Sequence, residues 1–460
     1  LSLAPDAKVV VNVGYADLRK GFDIFVNAAK VLVAEDSSYH FLWIGDIEPS
    51  LKHWLASDLE SDLLVNNFHN IPFTNEISLY LEGSNVFAMT SREDPFPSVV
   101  MESLALGTPV VGFTGGGGFT ELLEIPLNGQ AVPMADIQAM AVAIAYEASS
   151  NTKEKEDQRI TEATTAFKWS DYVFSLVEYL DPSIKRVSVA VPNYNYENHI
   201  EERLRSIFDQ AYPIYEINIL DDKSPDNSVE VIKNYISKRQ RIVNLVVNEE
   251  NSGSVFKQWK KGADLAKAEY LWIAEADDSA DQFFLSKILS GDKNFDLAYT
   301  DSVQIDENSH HLADNYRYYY DAALIEKLDA SSVYAGREFI EDCLAIKNQF
   351  MNVSAVLFNT QSIQNCLNDN IDEILNFKVA GDWYIYVQML SGDTAKVKVL
   401  GESLNVHRRH SGSVTHRNYD VQLKEIARIQ KDSLEICQNK SEKEIVQSEY
   451  LVEVKKVLEK

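Results

Sequence analysis

Cysteine is scarce in this chain, and basic charge is outweighed by acidic. The 460 residues include three cysteines, Cys343, Cys366 and Cys437. None stands in a CxxC pair, so neither a disulfide framework nor a zinc site is expected. A reducing compartment suits such usage. Lys and Arg number 43 against 70 Asp and Glu, giving a formal net charge of -27. Phosphate backbones and anionic lipids select basic surfaces, so no nucleic-acid partner is expected and broad attraction to lipid is disfavoured. No apolar run is long enough to span a bilayer, and no signal-peptide pattern is present. These absences point to the cytoplasm, leaving open a peripheral position at the inner face of the membrane. The first residue is Leu1 rather than Met, and the strand pattern Val9-Val10-Val11-Asn12-Val13 follows almost at once. We read the chain as an excised piece of a longer protein.

Hydrophobic residues make up 45% and aromatics 10%, a globular composition rather than a disordered one. The length predicts two or three domains. Short apolar runs alternate with helical patterns in the first part. VVVNVG, HFLWIGD, SNVFAMTS and TPVVGF read as strands; Phe22 to Val33 and Ser98 to Leu106 read as helices. Such alternation means βαβ units and a parallel sheet. Residues Asn151 to Gln158 are polar and charged, a surface loop or helix, and FKWSDYVFSLVEYL reads as a closing helix. Asp181-Pro182-Ser183 breaks it, which sets the first boundary. A second αβ series follows through Val187–Pro192, Glu216–Leu220, Val243–Asn248 and Tyr270–Ile273. Strand signals stop near Asn405. From Asp420 onward Leu423, Ile426, Ile429, Leu434 and Cys437 recur at helical spacing, predicting one or two helices with a coiled-coil or packing role. The expected domains are therefore 1–181, 182–419 and a helical tail, 420–460, through which self-association could run.

The second series carries acidic residues at its strand ends. Ile217-Asn218-Ile219-Leu220 ends in Asp221-Asp222, and Tyr270-Leu271-Trp272-Ile273 leads into Glu275-Ala276-Asp277-Asp278. Open α/β sheets bind ligands beyond their strand ends. Hard carboxylates there suit Mg²⁺ or Mn²⁺ carrying phosphate oxygens. Asp222 alone serves equally as a turn or cap residue and as a ligand. Asp382, in Gly381-Asp382-Trp383, heads a helical pattern that it could cap. His407, Arg408, Arg409, His410 and Arg417 form the most basic stretch of the chain, able to neutralise a phosphate from a loop.

Together VPNYN, LDDKSPDNS, NSGSVFKQWKKGADLAKAEYLWIAEADD and GDW resemble the family-2 glycosyltransferases of the GT-A fold, over roughly Arg186 to His416. The resemblance implies inversion at the anomeric carbon of a nucleotide-sugar donor. It places Pro192, Tyr194 and Asp222 near base and ribose, with Asp277, His407, Arg409 and His410 on the nucleotide sugar. It assigns the metal to Asp277 and Asp278, and the base that takes the acceptor proton to Asp382. The family often has Asp where this chain has Glu275.

In the first part, SREDPFPSVVMESLALGTPVVGFTGGGGFTELL brackets a helix start between Asp94 and Glu102, and its glycines from Gly115 to Gly118, Gly116 and Gly117 among them, offer close backbone approach to a ligand. With VGYADLRKGFDIF and the FKW helix it resembles the C-terminal, donor-binding lobe of the family-4, GT-B glycosyltransferases, from about Val9 to Leu180. That family retains anomeric configuration. Its E-x7-E motif has Asp94 here in place of the first Glu, while Glu102 matches the ribose-binding acid. Lys20 matches the family's diphosphate-clamping Lys. Tyr15 stands where an Arg is usual, with Arg19 as its substitute. The acceptor lobe expected before it is missing, so this lobe should not turn over alone. The combined expectation is an α/β, Rossmann-like GT-B lobe followed by a GT-A domain and a helical tail. It would be a bifunctional glycosyltransferase of bacterial O-antigen or capsule synthesis, with a saccharide or lipid-linked saccharide as acceptor. A non-catalytic nucleotide-sugar or carbohydrate-binding module, or a scaffold, is the alternative.

Overall fold

The computed structural model describes residues 3–239, 243–410 and 419–458. Arg417 of the basic stretch lies outside them. Two compact units divide the chain, Leu1–Tyr172 and Val173–Lys460.

The first unit holds strands β1 (Lys8–Val13), β2 (Tyr39–Ile44), β3 (Phe68–Ile71), β4 (Val86–Met89), β5 (Val110–Phe113) and β6 (Gly129–Val132). They pair in parallel, in the order β3-β2-β1-β4-β5-β6. Alternate residues feed opposite cores. Val10, Phe41 and Trp43 pack on one face, Val11, Leu42 and Ile44 on the other. A sheet buried on both faces explains why β1, β2, β4 and β5 read as near-continuous apolar runs. β3 and β6 carry little apolar residue and were not expected. The order reverses between β1 and β4, so a crevice opens at their C-terminal ends. Gly21 lets the next helix, Phe22–Glu35, start there: its φ is +70°, and a Cβ would meet the Thr90 carbonyl oxygen at 2.0 Å. The polar segment after Asn151 forms a helix, Lys153–Ala166, started by the Thr152 side chain accepting from the Lys155 N–H.

The second unit builds one mixed sheet from β7 (Val187–Asn193), β8 (Glu216–Asp221), β9 (Val243–Val247), β10 (Tyr270–Ile273), β11 (Ser279–Ala280), β12 (Leu297–Asp306), β13 (His311–Ala313), β14 (Val333–Ala335), β15 (Val356–Asn359) and β16 (Lys396–Arg409). Its spine is β11-β16-β12-β15-β10-β7-β8-β9. β10, β7, β8 and β9 run parallel, so the ends of β7, β8 and β10 share one edge. β15 is inserted antiparallel between β10 and β12.

One expectation is corrected here. The basic segment is not a loop: β16 runs parallel to β12 as far as Asp306↔Arg409. The tail forms two helices, Tyr419–Ile436 and Lys440–Leu458. Ile426 and Ile429 pack into the unit's own core with Leu344 and Trp383, while Val421, Ile445, Val446 and Val452 stay exposed. Among the described residues, no helix is long and apolar enough to cross a membrane.

Candidate active site

The strand ends of the second unit open on a cavity of about 450 Å³ lined by Pro192, Asn193, Tyr194, Asp222, Gln258 and Glu275, among others. Pro192 and Tyr194 follow from β7. The Asn193 amide donates to Asp221 Oδ2 at 2.7 Å and ties β7 to β8. Asp222 is buried and its carboxylate accepts four hydrogen bonds. Its Oδ1 accepts from Asn248 Nδ2 (2.6 Å), Gln258 Nε2 (2.8 Å) and the Ser252 N–H (2.9 Å), and its Oδ2 from Ser252 Oγ (2.7 Å). Asp222 thus shapes the cavity by holding the loop Asn251–Ser254 against it. Glu275 receives Trp259 Nε1 at 2.7 Å. Burial pushes its carboxyl up to about 8, with the neighbouring Asp277 charge adding to the shift.

Asp277 and Asp278 part company. His410 Nε2 lies 2.8 Å from Asp277 Oδ2. Burial opposes ionisation of Asp277, but the His410 hydrogen bond and charge outweigh it and hold the carboxyl below its ordinary range. The same bond raises His410. The rings of Tyr196 and His199 lie about 6.1 Å and 6.0 Å from that of His410. Asp278 is buried and its oxygens are engaged: Oδ1 accepts the Arg408 N–H at 2.9 Å and Oδ2 the Asn352 amide at 2.9 Å. The wholly buried Arg203 guanidinium lies 4.0 Å from Oδ2. Burial and the Asp277 charge raise Asp278.

Among the described residues, no group of three or more His, Cys, Asp or Glu side chains is arranged to hold a metal ion. A protein-built cage is thus not what the donor set fits. Mg²⁺ is commonly held by one or two carboxylates plus substrate phosphates. Asp277 with His410 fits that second kind of site. Asp278, the other acid expected from sequence to hold the metal, accepts one hydrogen bond on each oxygen, from β16 and from Asn352.

The partners alternate along β16, as side chains of a strand must. Arg408 and His410 reach Asp277: Arg408 Nε donates to its carbonyl at 2.8 Å. His407 pairs through Nδ1 with the Tyr316 hydroxyl at 2.7 Å, and Arg409 donates to Gln304 at 3.3 Å. The basic cluster is therefore split, and the buried member is Arg408, not the exposed Arg409.

Asp382 stands in the first turn of the helix Gly381–Leu390 and borders a separate cavity of about 210 Å³. Asn348 Nδ2 donates to its Oδ2 at 3.0 Å. Burial pushes the carboxyl up to about 6, against the hydrogen bonds of Trp383 N–H and Asn348. Gly381 packs on the Phe256 ring, whose neighbour Val255 lines the larger cavity. Arg408 is named from sequence only as one of the basic stretch, and Trp259, His199, Tyr196 and Asn348 are not singled out; single residues of common type, spread along the chain, give no local pattern.

In the first unit, Lys20 and Asp94 meet at the crevice between β1 and β4 as an ion pair. The Asp94 N–H donates to the Gly116 carbonyl at 2.9 Å. A Cβ on Gly117, whose φ is +152°, would lie 1.7 Å from the Asp94 carbonyl oxygen, so glycine permits that approach. Arg19 is exposed and donates to the Glu93 carbonyl at 3.3 Å. Glu102 is exposed on the helix Ser98–Ala105. Tyr15 lines a neighbouring cavity of about 310 Å³ with Gly14, Gly45, Asp46 and Phe73.

Comparison with known proteins follows this division. Residues 188–351 match the family model of Glycosyl transferase family 2, and residues 1–166 that of Glycosyl transferases group 1. An uncharacterized glycosyltransferase of Haemophilus influenzae is 33% identical over 135 residues, 29% of this chain and 37% of the relative. Glycosyltransferase GlyG of Streptococcus pneumoniae is 24% identical over 242 residues, 51% of this chain and 74% of the relative. A poly(ribitol-phosphate) beta-glucosyltransferase of Bacillus spizizenii is 34% identical over 95 residues, 20% of this chain and 15% of the relative. This chain thus spans little more than a third of the first of these relatives. Among solved structures, Staphylococcus aureus TarS 1-349 in complex with UDP-GlcNAc aligns with a TM-score of 0.41 and 17% identity, covering 58% of this chain and 71% of that one. Anabaena Alr3699/HepE in complex with UDP aligns with a TM-score of 0.35 and 22% identity, covering 38% and 49%. The chain belongs to the glycosyltransferases, joining a group 1 (GT-B) segment to a family 2 (GT-A) segment.

Proposed function

We propose that the second unit is an inverting glycosyltransferase. It moves a sugar from a nucleotide-sugar donor to a saccharide or lipid-linked saccharide in the synthesis of a bacterial surface polysaccharide, an O-antigen or capsule. One observation carries this reading: the ends of β7, β8 and β10 open on a single cavity, with Asp277 and His410 beyond the last of them. The poly(ribitol-phosphate) beta-glucosyltransferase relative supports a surface polymer as acceptor and a β-linked product. Pro192, Tyr194 and the loop held by Asp222 would seat the nucleoside. Asp277 and His410 would hold Mg²⁺ or Mn²⁺ together with the donor diphosphate. When bound, the metal supplies positive charge against the leaving diphosphate. Asp382 takes the proton from the acceptor hydroxyl. The acceptor oxygen then bonds to the anomeric carbon as the nucleoside diphosphate departs from the opposite face, so configuration inverts.

For the first unit we propose half of a retaining, family-4-like module, whose partner lobe would belong to the full-length protein. The Lys20–Asp94 pair favours a second reading for this unit, a scaffold that does not clamp a diphosphate, because the lysine charge is already matched. Calorimetric titration with nucleotide sugars separates the two: binding lost on Lys20→Ala supports the donor lobe. The main proposal is tested by screening UDP-, GDP- and dTDP-sugars for nucleotide release with and without EDTA. Release that is absent with every donor, or indifferent to EDTA, defeats the reading or its metal respectively.

A further inference from the structure

The cavity beside Asp382 has a wall that the family segment 188–351 does not supply. Gln422 and Tyr450, from the two C-terminal helices, line it with Tyr319, Asn348, Trp383 and Asp382. The hairpin also grips both chain segments that carry the polar groups of this cavity. Glu425 is buried, and its carboxylate accepts the N–H groups of Lys378 (2.7 Å), Val379 (3.0 Å) and Ala380 (2.9 Å), the residues leading into the Asp382 helix. Gln430 Nε2 donates to the Ile346 carbonyl at 2.8 Å, and Gln447 Nε2 to the Ala345 carbonyl at 2.9 Å. Those two carbonyls lie just before Asn348, the hydrogen-bond partner of Asp382.

The lining is of a recognisable chemical kind. Aromatic rings offer an apolar face beside a polar edge. A pyranose has the same division, with C–H faces and a hydroxyl rim. Tyr319 and Tyr450 supply aromatic rings; Asn348, Gln422 and Asp382 supply hydrogen-bonding groups. Among the described residues, Gln422 Oε1 is buried without a hydrogen-bond partner, although such atoms are normally satisfied. At about 210 Å³ the space falls below the ~300–1,000 Å³ typical of drug-sized pockets, which suits one sugar ring.

We propose that the C-terminal hairpin is the acceptor-recognition wall of the transferase. Tyr450 and Gln422 seat the terminal sugar of the acceptor over Asp382, and Glu425 is a positioning residue that fixes the loop carrying Asp382. This rests on the reading of Asp382 as the base. It makes acceptor choice a property of the hairpin and donor choice a property of the strand-end cavity.

The test is binding, measured on the full chain independently of turnover. A panel of α- and β-methyl glycosides of glucose, galactose, mannose, rhamnose, N-acetylglucosamine and N-acetylgalactosamine is screened by saturation-transfer NMR, with UDP titrated in parallel. At least one glycoside should bind the wild type. Its affinity should fall at least about tenfold in Tyr450→Ala and in Gln422→Ala and stay within about threefold in Tyr450→Phe, while UDP affinity is the same in all. Tyr450→Phe and the shallow Gln422→Ala keep the test decisive should Tyr450→Ala fail to fold. No binding of any glycoside to the wild type overturns the proposal, as does binding that both alanine variants leave unchanged. Failure of donor turnover would leave this result untouched, so the two readings fail separately.

Discussion

Replacing Asp382 by Asn changes one oxygen to an amide and leaves the helix start intact. A positioned general base contributes roughly 10²–10⁴-fold in rate, so Asp382→Asn should lose about that much of kcat/KM with donor affinity unchanged. The pH dependence supplies a sharper test. The carboxyl is pushed up to about 6, chiefly by burial. A base acts as the carboxylate, so activity appears as pH rises through about 6 and is lost below it. The ionised fraction is about 0.9 at pH ~7 and about 0.1 at pH ~5, a roughly tenfold fall; an unperturbed Asp would lose under about a tenth over that range. Asp277, held below its ordinary range, cannot produce a limb near 6. Stability carries the opposite sign. A raised folded-state value means that ionisation costs stability as pH rises between the unfolded value and about 6. Asp382→Asn should therefore be more stable than wild type at pH ~7, by on the order of 2 kcal/mol, less than the ~3 kcal/mol of the full shift because the side chain opens on a cavity. The assays are nucleotide release against pH and urea unfolding at pH ~7. A variant keeping more than about a tenth of the rate, or a wild-type acid limb below pH ~5, would refute the assignment.

The adjacent acids should separate by phenotype: Asp277→Ala should abolish EDTA-sensitive turnover with little change in Tm. Asp278→Ala should also cost about 3–5 kcal/mol by urea unfolding, because it strips the buried Arg203 of its nearest carboxylate. Glu425→Gln should lower kcat at least about tenfold in the nucleotide-release assay with donor KM unchanged, since one of its two accepting oxygens becomes a donor facing N–H groups. Ile429→Ala removes a fully buried side chain and should cost roughly 2–5 kcal/mol in one cooperative transition with the second unit; a separate, earlier transition for the tail would show that the hairpin is not part of that core.

What could be read from sequence tracks how each segment is buried. β1, β2, β4, β7, β8 and β10 are covered on both faces and so appear as apolar runs, and their acidic ends lie where the runs predict. β3, with the sequence FHNI and no fully buried residue, carries no such signal. β16 misleads for a different reason. Its polar end reads as a loop because exposed and buried arginines are the same letter. Arg408 is buried because carbonyls and carboxylates from three distant segments converge on it: Asp277 O, Asp306 O and Glu202 Oε2. That convergence exists only after folding.

The pair Asp277–Asp278 makes the same point at the site itself. Adjacent residues of one type have no difference that a motif can express, so metal binding fell on both. Folding separates them, because consecutive side chains leave the backbone in different directions. One direction meets β16 and Asn352, which satisfy Asp278 with two N–H groups; the other meets an imidazole at the rim of the sheet. Asp278 thereby pins β16 alongside the acidic loop, and the same strand delivers His410 to Asp277. If so, the two acids are not interchangeable spares. Asp278→Asn, which keeps an oxygen for the Arg408 N–H but turns an amide toward the Asn352 amide, should weaken the Asp277–His410 contact without touching either residue. The check is the His410 imidazole, whose raised value by NMR titration should drop toward its ordinary range. An unchanged His410 titration would mean that Asp278 does not hold the strand that carries it.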